Sequence, residues 1–170
     1  EPQPLLTTYV GTVVGRTAAA GYCVLRLSND LKISSLKHAG AATPFQRSGG
    51  FILLAAPNAP KFTVDLAYSG TQKHVQSDYI RENDATINSY WYAHTGRYPA
   101  KATVTAIAPK GWTAIGQGDR TAMKTLPTGE TSFTYRNEIA TTWFTLDFGK
   151  YFITERKVKG RTLTAYLLND

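Results

Sequence analysis

The chain has one cysteine, Cys23, in 170 residues, so an internal disulfide is excluded. Cys23 sits in the apolar stretch Tyr22-Cys23-Val24-Leu25, where a thiol reads as a small buried hydrophobe rather than a nucleophile. No apolar run approaches the roughly 20 residues that span a bilayer, so no membrane span is expected. There is no N-x-S/T glycosylation acceptor, no internal repeat and no low-complexity segment. No stretch sustains a helical i, i+3, i+4, i+7 stripe over three turns, which argues against a helical core. Acids are the scarcer charge, 12 against 19 Lys and Arg, for a formal net charge of +7. The cations are scattered rather than striped, so no nucleic-acid partner is expected. Their densest cluster is Arg156, Lys157, Lys159 and Arg161, around Gly160, and it reads as a charged hairpin tip.

What is present is a folded, strand-forming composition. Hydrophobic residues make up 42% and charged residues 18%, a balance that favours a globular chain over a disordered one. Apolar runs are short and are punctuated by Gly, Pro and Asn-Asp turns. Strands are predicted over residues 8–14, 21–27, 31–36 and 51–55. They are also predicted over 61–68, 87–92, 102–108, 112–115, 131–136, 142–146, 150–156 and 162–168. The 61–68 segment alternates cleanly, with Phe62, Val64, Leu66 and Tyr68 on one face and Thr63 and Asp65 on the other, the mark of a half-buried strand. The stretch from Gly70 to Ser89 is polar and weakly patterned, and reads as a long loop. About a dozen short strands with turns between them predict an all-β fold, a β-sandwich of mostly antiparallel strands. Residues 1–5 read as a polar, Pro-rich linker and 6–170 as one domain.

Few residues carry catalytic signals. His38, His74 and His94 lack metal-ligand spacing to one another, so neither a metal site nor a cofactor is expected on this chain. Gly116-Gln117-Gly118-Asp119 is a fragment of a Gly-rich loop without the rest of a phosphate-binding pattern, and reads as a strand–turn junction. No serine sits in a nucleophile elbow. Trp112 and Trp143 read as core anchors.

The order of several weak motifs carries a resemblance. Residues 15–27 and the run from Leu31 to Gly40 open the pattern, followed by Phe62–Gly70, FTVDLAYSG. Next come Trp91-Tyr92, then Pro99 to Val104, the turn Pro109-Lys110-Gly111-Trp112, and Phe148-Gly149-Lys150-Tyr151. In this order they resemble the all-β N-terminal domain of the aminopeptidase N-like (gluzincin) zinc metallopeptidases. The resemblance covers nearly the whole chain and implies a saddle-like β-sandwich that packs on a following catalytic domain and roofs its cleft. It implies zinc only in that following domain, held by an H-E-x-x-H helix. No such motif occurs here: His38 is followed by Ala-Gly-Ala, His74 by Val-Gln-Ser and His94 by Thr-Gly-Arg.

In the family, an acidic or amide side chain of this domain helps hold the substrate's free α-amino group, since an ammonium in a partly dry pocket needs a nearby anion or carbonyl. By position, that role falls to Glu82, with Trp91 and Tyr92 at the rim of the cleft. The family's Gln-x-Glu pattern is not intact at Glu82, and Tyr92 replaces the proline of the usual aromatic-Pro pair. Beside these roles stand plainer readings: Glu82 as a solvated loop carboxylate, and Trp91 and Tyr92 as one core and one surface aromatic on a strand.

The leading expectation is a non-catalytic N-terminal domain of a zinc aminopeptidase-like protein. Its partner would be the catalytic domain of the same parent chain, with peptide substrate bound only in that context. Exposed apolar surface is expected where that domain docks. The alternatives are a stand-alone β-sandwich that binds protein or carbohydrate, and an autonomous hydrolase with a scattered site. A secreted, periplasmic or cell-surface location of bacterial type is expected over a cytoplasmic one.

Overall fold

A computed structural model of the chain describes residues 5–15, 21–55, 62–72, 79–88, 91–96 and 98–168. Among them every regular element is a β-strand, and every strand pairing is antiparallel. The all-β expectation holds. The chain divides into two compact units, Pro4–Gln76 with Ser89–Tyr98, and Glu1–Gln3 with Ser77–Asn88 and Pro99–Asp170.

Among the described residues the first unit holds seven strands: β1 (Leu5–Gly15), β2 (Tyr22–Arg26), β3 (Leu31–His38), β4 (Ala41–Ala42), β5 (Phe45–Ser48), β6 (Phe51–Ala55) and β7 (Phe62–Gln72). They form one sheet in the order β1-β7-β3-β4 and another in the order β2-β6-β5. Period-two patterning explains what each sheet buries. Cys23 and Leu25 of β2, Ile52 and Leu54 of β6 and Val64, Leu66 and Tyr68 of β7 turn inward; Leu31 and Leu36 of β3 both do so because a register shift between Ile33 and Ser35 resets the alternation. These side chains form one core cluster drawn from both sheets. Each fully buried aliphatic contributes about 2 kcal/mol. Arg47 fastens the turn before β3: its Nη1 donates to the Leu31 carbonyl and its Nη2 to that of Ser28, at 2.6 Å.

The second unit holds β8 (Tyr79–Ile80), β9 (Asp84–Ile87), β10 (Ala100–Ala108), β11 (Thr113–Gly116), β12 (Asp119–Thr125), β13 (Thr131–Thr141), β14 (Leu146–Gly149), β15 (Tyr151–Val158) and β16 (Arg161–Leu168). Its sheets run β11-β14-β9-β8 and β10-β13-β12, with β15-β16 as a separate hairpin. Ala85, Ile87, Ala114, Leu146 and Phe148 are buried on the first of these sheets, and Ala106, Ala108, Phe133 and Tyr135 on the second. The Tyr135 hydroxyl donates to the Ala114 carbonyl at 2.9 Å and so ties β13 to β11. Burial raises the phenol's pKa above its ordinary value.

Several boundaries differ from the sequence reading. The predicted 87–92 strand is not one: β9 ends at Ile87, and Trp91 and Tyr92 lie outside any strand. The predicted 142–146 strand begins only at Leu146. The Gly70–Ser89 stretch is not wholly a loop, because β7 runs on to Gln72 and both β8 and β9 fall within it. Trp112 and Trp143 are half-buried rather than core, and the Lys150 ammonium lies 5.8 Å from the Trp112 ring centre.

Candidate functional site

The residues singled out by sequence divide between the two units. In the first, the segment from Trp91 to Gly96 is stitched to β2 by a single bridge. The Arg26 amide donates to the His94 carbonyl at 2.7 Å, and the His94 amide donates back to Arg26 at 3.1 Å. The Tyr68 hydroxyl donates to the Trp91 carbonyl at 3.1 Å from within the core. Trp91 is buried, Tyr92 is half-buried, and Ala93 joins the core cluster. The Trp91 and Tyr92 rings meet edge to face at 5.0 Å, and Tyr92 lies 5.6 Å from the His94 ring. The Gly96 amide donates to His94 Nδ1 at 3.2 Å. Burial holds the His94 pKa below its ordinary value, opposed by a hydrogen bond from Nδ1 to the Gly96 carbonyl 3.1 Å away, while the nearby Arg26 charge adds to the lowering. The result is an aromatic corner locked to a sheet by backbone bonds.

In the second unit, Glu82 stands on a tight bend between β8 and β9. The Arg81 amide donates to the Asp84 carbonyl at 2.8 Å, closing the bend and leaving Glu82 and Asn83 exposed. Lys150 braces it twice: its amide donates to the Asn83 carbonyl at 3.0 Å and its Nζ to Asn83 Oδ1 at 3.1 Å. Glu82 is therefore an accessible carboxylate on a held backbone, able to accept hydrogen bonds from a cation.

Two residues on lies an acid that the sequence reading passed over. Asp84 is buried at 4% exposure, and among the described residues its Oδ2 has no hydrogen-bond partner. The available signal was its place at the head of an apolar strand, Asp84-Ala85-Thr86-Ile87, where a carboxylate is costly to bury. Across the same ladder the Thr86 hydroxyl donates to Asp147 Oδ1 at 2.6 Å.

Other polar groups are absorbed by structure. Lys101, Arg136 and Glu138 line a shallow depression over β10 and β13. Lys101 reaches Glu138 at 3.2 Å, and Arg136 pairs with the same carboxylate. The Lys101 hydrogen bond, with the Arg136 charge, holds Glu138 below the usual carboxylate range. Burial pushes the Cys23 thiol up to about 11, far from the pKa of a reactive nucleophile. His38 Nδ1 lies 2.8 Å from the Thr63 carbonyl at a strand edge. Among the described residues no three His, Cys, Asp or Glu side chains form a group that would hold a metal ion. His74 lies outside the described residues. No described helix is long and apolar enough to cross a membrane.

No family model matches the sequence, and no curated protein matches it. Solved structures do. The chain is similar to an M1 zinc metallopeptidase from Deinococcus radiodurans, with a TM-score of 0.80 at 16% identity; the match covers 97% of this chain and 43% of that one. It is also similar to Legionella pneumophila aminopeptidase A, solved in complex with aspartic acid, with a TM-score of 0.74 at 19% identity, covering 94% of this chain and 21% of that one. The fold is thus that of one part of the M1 metallopeptidases, and the chain spans less than half the length of the solved chains it matches.

Proposed function

We propose that this chain is the non-catalytic N-terminal domain of an aminopeptidase N-like zinc metallopeptidase, and that it scaffolds the catalytic domain and shapes the entrance to its cleft. The observation that carries the reading is the coverage: nearly all of this chain superposes on less than half of an M1 metallopeptidase. Zinc would belong to the remaining part of the parent protein, held there by its own ligands. Exposed apolar side chains such as Tyr22, Val24, Phe51 and Leu53, on the outward face of β2 and β6, favour a domain that works against another surface.

Within this reading Glu82 accepts hydrogen bonds from the α-ammonium of a peptide substrate. Tyr92 offers an aromatic rim, and the buried Trp91 fixes the segment that carries it. The bend at 81–84 suits the first task because it presents a carboxylate while its backbone stays fixed, and a charged acceptor at a defined place is what ammonium recognition requires.

The direct test uses the 170-residue protein by itself. Loaded with zinc and desalted, it is expected to retain no stoichiometric metal and to release no amino acid from aminoacyl amides. Retention of about one zinc per chain in a protein-derived site, with turnover, would make it an autonomous hydrolase and end this reading.

A further inference from the structure

Each described sheet has two edge strands, and nearly all of these are blunted. β4 and β8 have two residues each, and β5 and β11 have four. β2 has five, ends in Arg26 and is bridged there to His94. β10 and β12 are longer, but each carries charge, Lys101 in one and Asp119, Arg120 and Lys124 in the other. Each also has a register shift against β13. β15 and β16 carry Glu155, Arg156, Lys157 and Arg161. Short edges, charges and irregular register are the devices by which sheets avoid pairing with other chains. β1 has none of them. It runs for 11 residues with the sequence LLTTYVGTVVG, without a charge or a proline. It pairs with β7 residue for residue, from Leu5↔Gln72 to Gly15↔Phe62, with no shift. It ends the sheet β1-β7-β3-β4, and no described strand pairs with its other side. A strand edge of this length presents a row of N–H and C=O groups that a further strand satisfies.

We propose that the open edge of β1 pairs antiparallel with β1 of a second copy of this chain, joining two four-stranded sheets into one continuous sheet. The inference is independent of the reading above. Two-fold pairing is self-complementary, so one strand supplies both sides of the interface. The register that uses the whole strand sets Val10 opposite itself, Thr8 opposite Thr12 and Leu6 opposite Val14. Threonine pairs across antiparallel strands are favourable, and such a ladder supplies about ten backbone hydrogen bonds. The net charge of +7 on each copy opposes association, but none of it lies on the strand itself, and salt screens the remainder. A second copy brings a strand of matching length and neutrality, which an unrelated chain does not supply. Pairing uses up β1 in both copies and leaves only blunted edges, so assembly stops at the dimer.

The test is sedimentation velocity of the 170-residue protein over a range of concentrations, at low and high salt. A dimer is expected, favoured by concentration and by salt. Thr8→Lys/Thr12→Lys charges the edge at two positions registered opposite half-exposed Ser69 and Asp65 of β7. It is expected to weaken dimerisation at least about tenfold, because each lysine then stands opposite a lysine of the other copy. Thr121→Lys/Met123→Lys, on the exposed edge β12, is expected to leave it unchanged. Val10→Cys reports the pairing without added charge. Mild oxidation is expected to join two copies of that variant, since directly opposed strand positions lie within disulfide reach. Wild type, whose Cys23 is buried, is expected to stay unlinked. A monomer at every concentration overturns the proposal. So does a dimer that the edge lysines leave intact or that Val10→Cys fails to link, and so does an oligomer larger than two. If the lysine variant does not fold, the Val10→Cys result, in protein whose thermal melt matches wild type, decides the matter. None of these outcomes touches the zinc and turnover test of the domain's role.

Discussion

Glu82 and Asp84 show how two acids, two positions apart, have opposite environments. Glu82 is exposed on a braced bend, whereas Asp84 is buried with one oxygen unmatched among the described residues. A sequence shows both as acids in a polar stretch, and burial is what separates them. On the proposed reading, Glu82→Gln in a longer protein with aminopeptidase activity is expected to raise KM about tenfold for peptides with a free amino terminus, on the scale of one charge-assisted hydrogen bond. Peptides with an acetylated terminus should be unaffected. An equal rise for both would remove Glu82 from amine recognition. His94 yields a second prediction. Its folded pKa lies below its unfolded value of about 6.5, chiefly through burial. The folded state therefore resists protonation, and the associated stability is present above that pH and is lost as pH falls through it. Urea unfolding at pH 7.5 and 5.5 should show this loss in wild type, and a smaller one in His94→Gln. Identical pH dependence in the two proteins would contradict it.

The bounds of β6 were legible from a compact apolar run after Ser48-Gly49-Gly50, but the run is not buried throughout: Ile52 and Leu54 are buried, while Phe51, Leu53 and Ala55 are exposed. β7 was legible from Val64, Leu66 and Tyr68. The hairpin turn at Lys159-Gly160 was legible from its glycine and flanking runs. β12 was not, because all seven of its residues are exposed and nothing in Asp119–Thr125 alternates with burial. The segment around Trp91 misled for the opposite reason. Its aromatics mimic a strand, but its backbone is held by Tyr68 and Arg26 rather than by a ladder. The junction between β11 and β12 is where a single methyl group should matter most. Gly118 has φ +89°, and a Cβ there would lie 2.3 Å from the Arg136 carbonyl oxygen. Gly118→Ala therefore combines strain with a backbone clash, and chemical denaturation should show a loss of at least about 1 kcal/mol. Unchanged stability would mean that β13 yields there at little cost.

At the scale of the whole molecule, two compact units of small sheets leave many large apolar side chains exposed. The all-β class was legible because its absences were informative, above all the lack of a helical stripe. The division into two units was not, because the alternation of a strand says which face is dry but not which sheet supplies the cover. Of the candidate residues, Glu82 belongs to one unit and Trp91 and Tyr92 to the other, a division that strand periodicity does not show. The central claim, that the chain is the front portion of a zinc peptidase, is tested most directly by reading the coding sequence past the codon for Asp170. The account predicts an open frame that reaches H-E-x-x-H with a further glutamate downstream, the ligand set of a catalytic zinc. A stop codon at that point, or a continuing frame without those ligands, would contradict it.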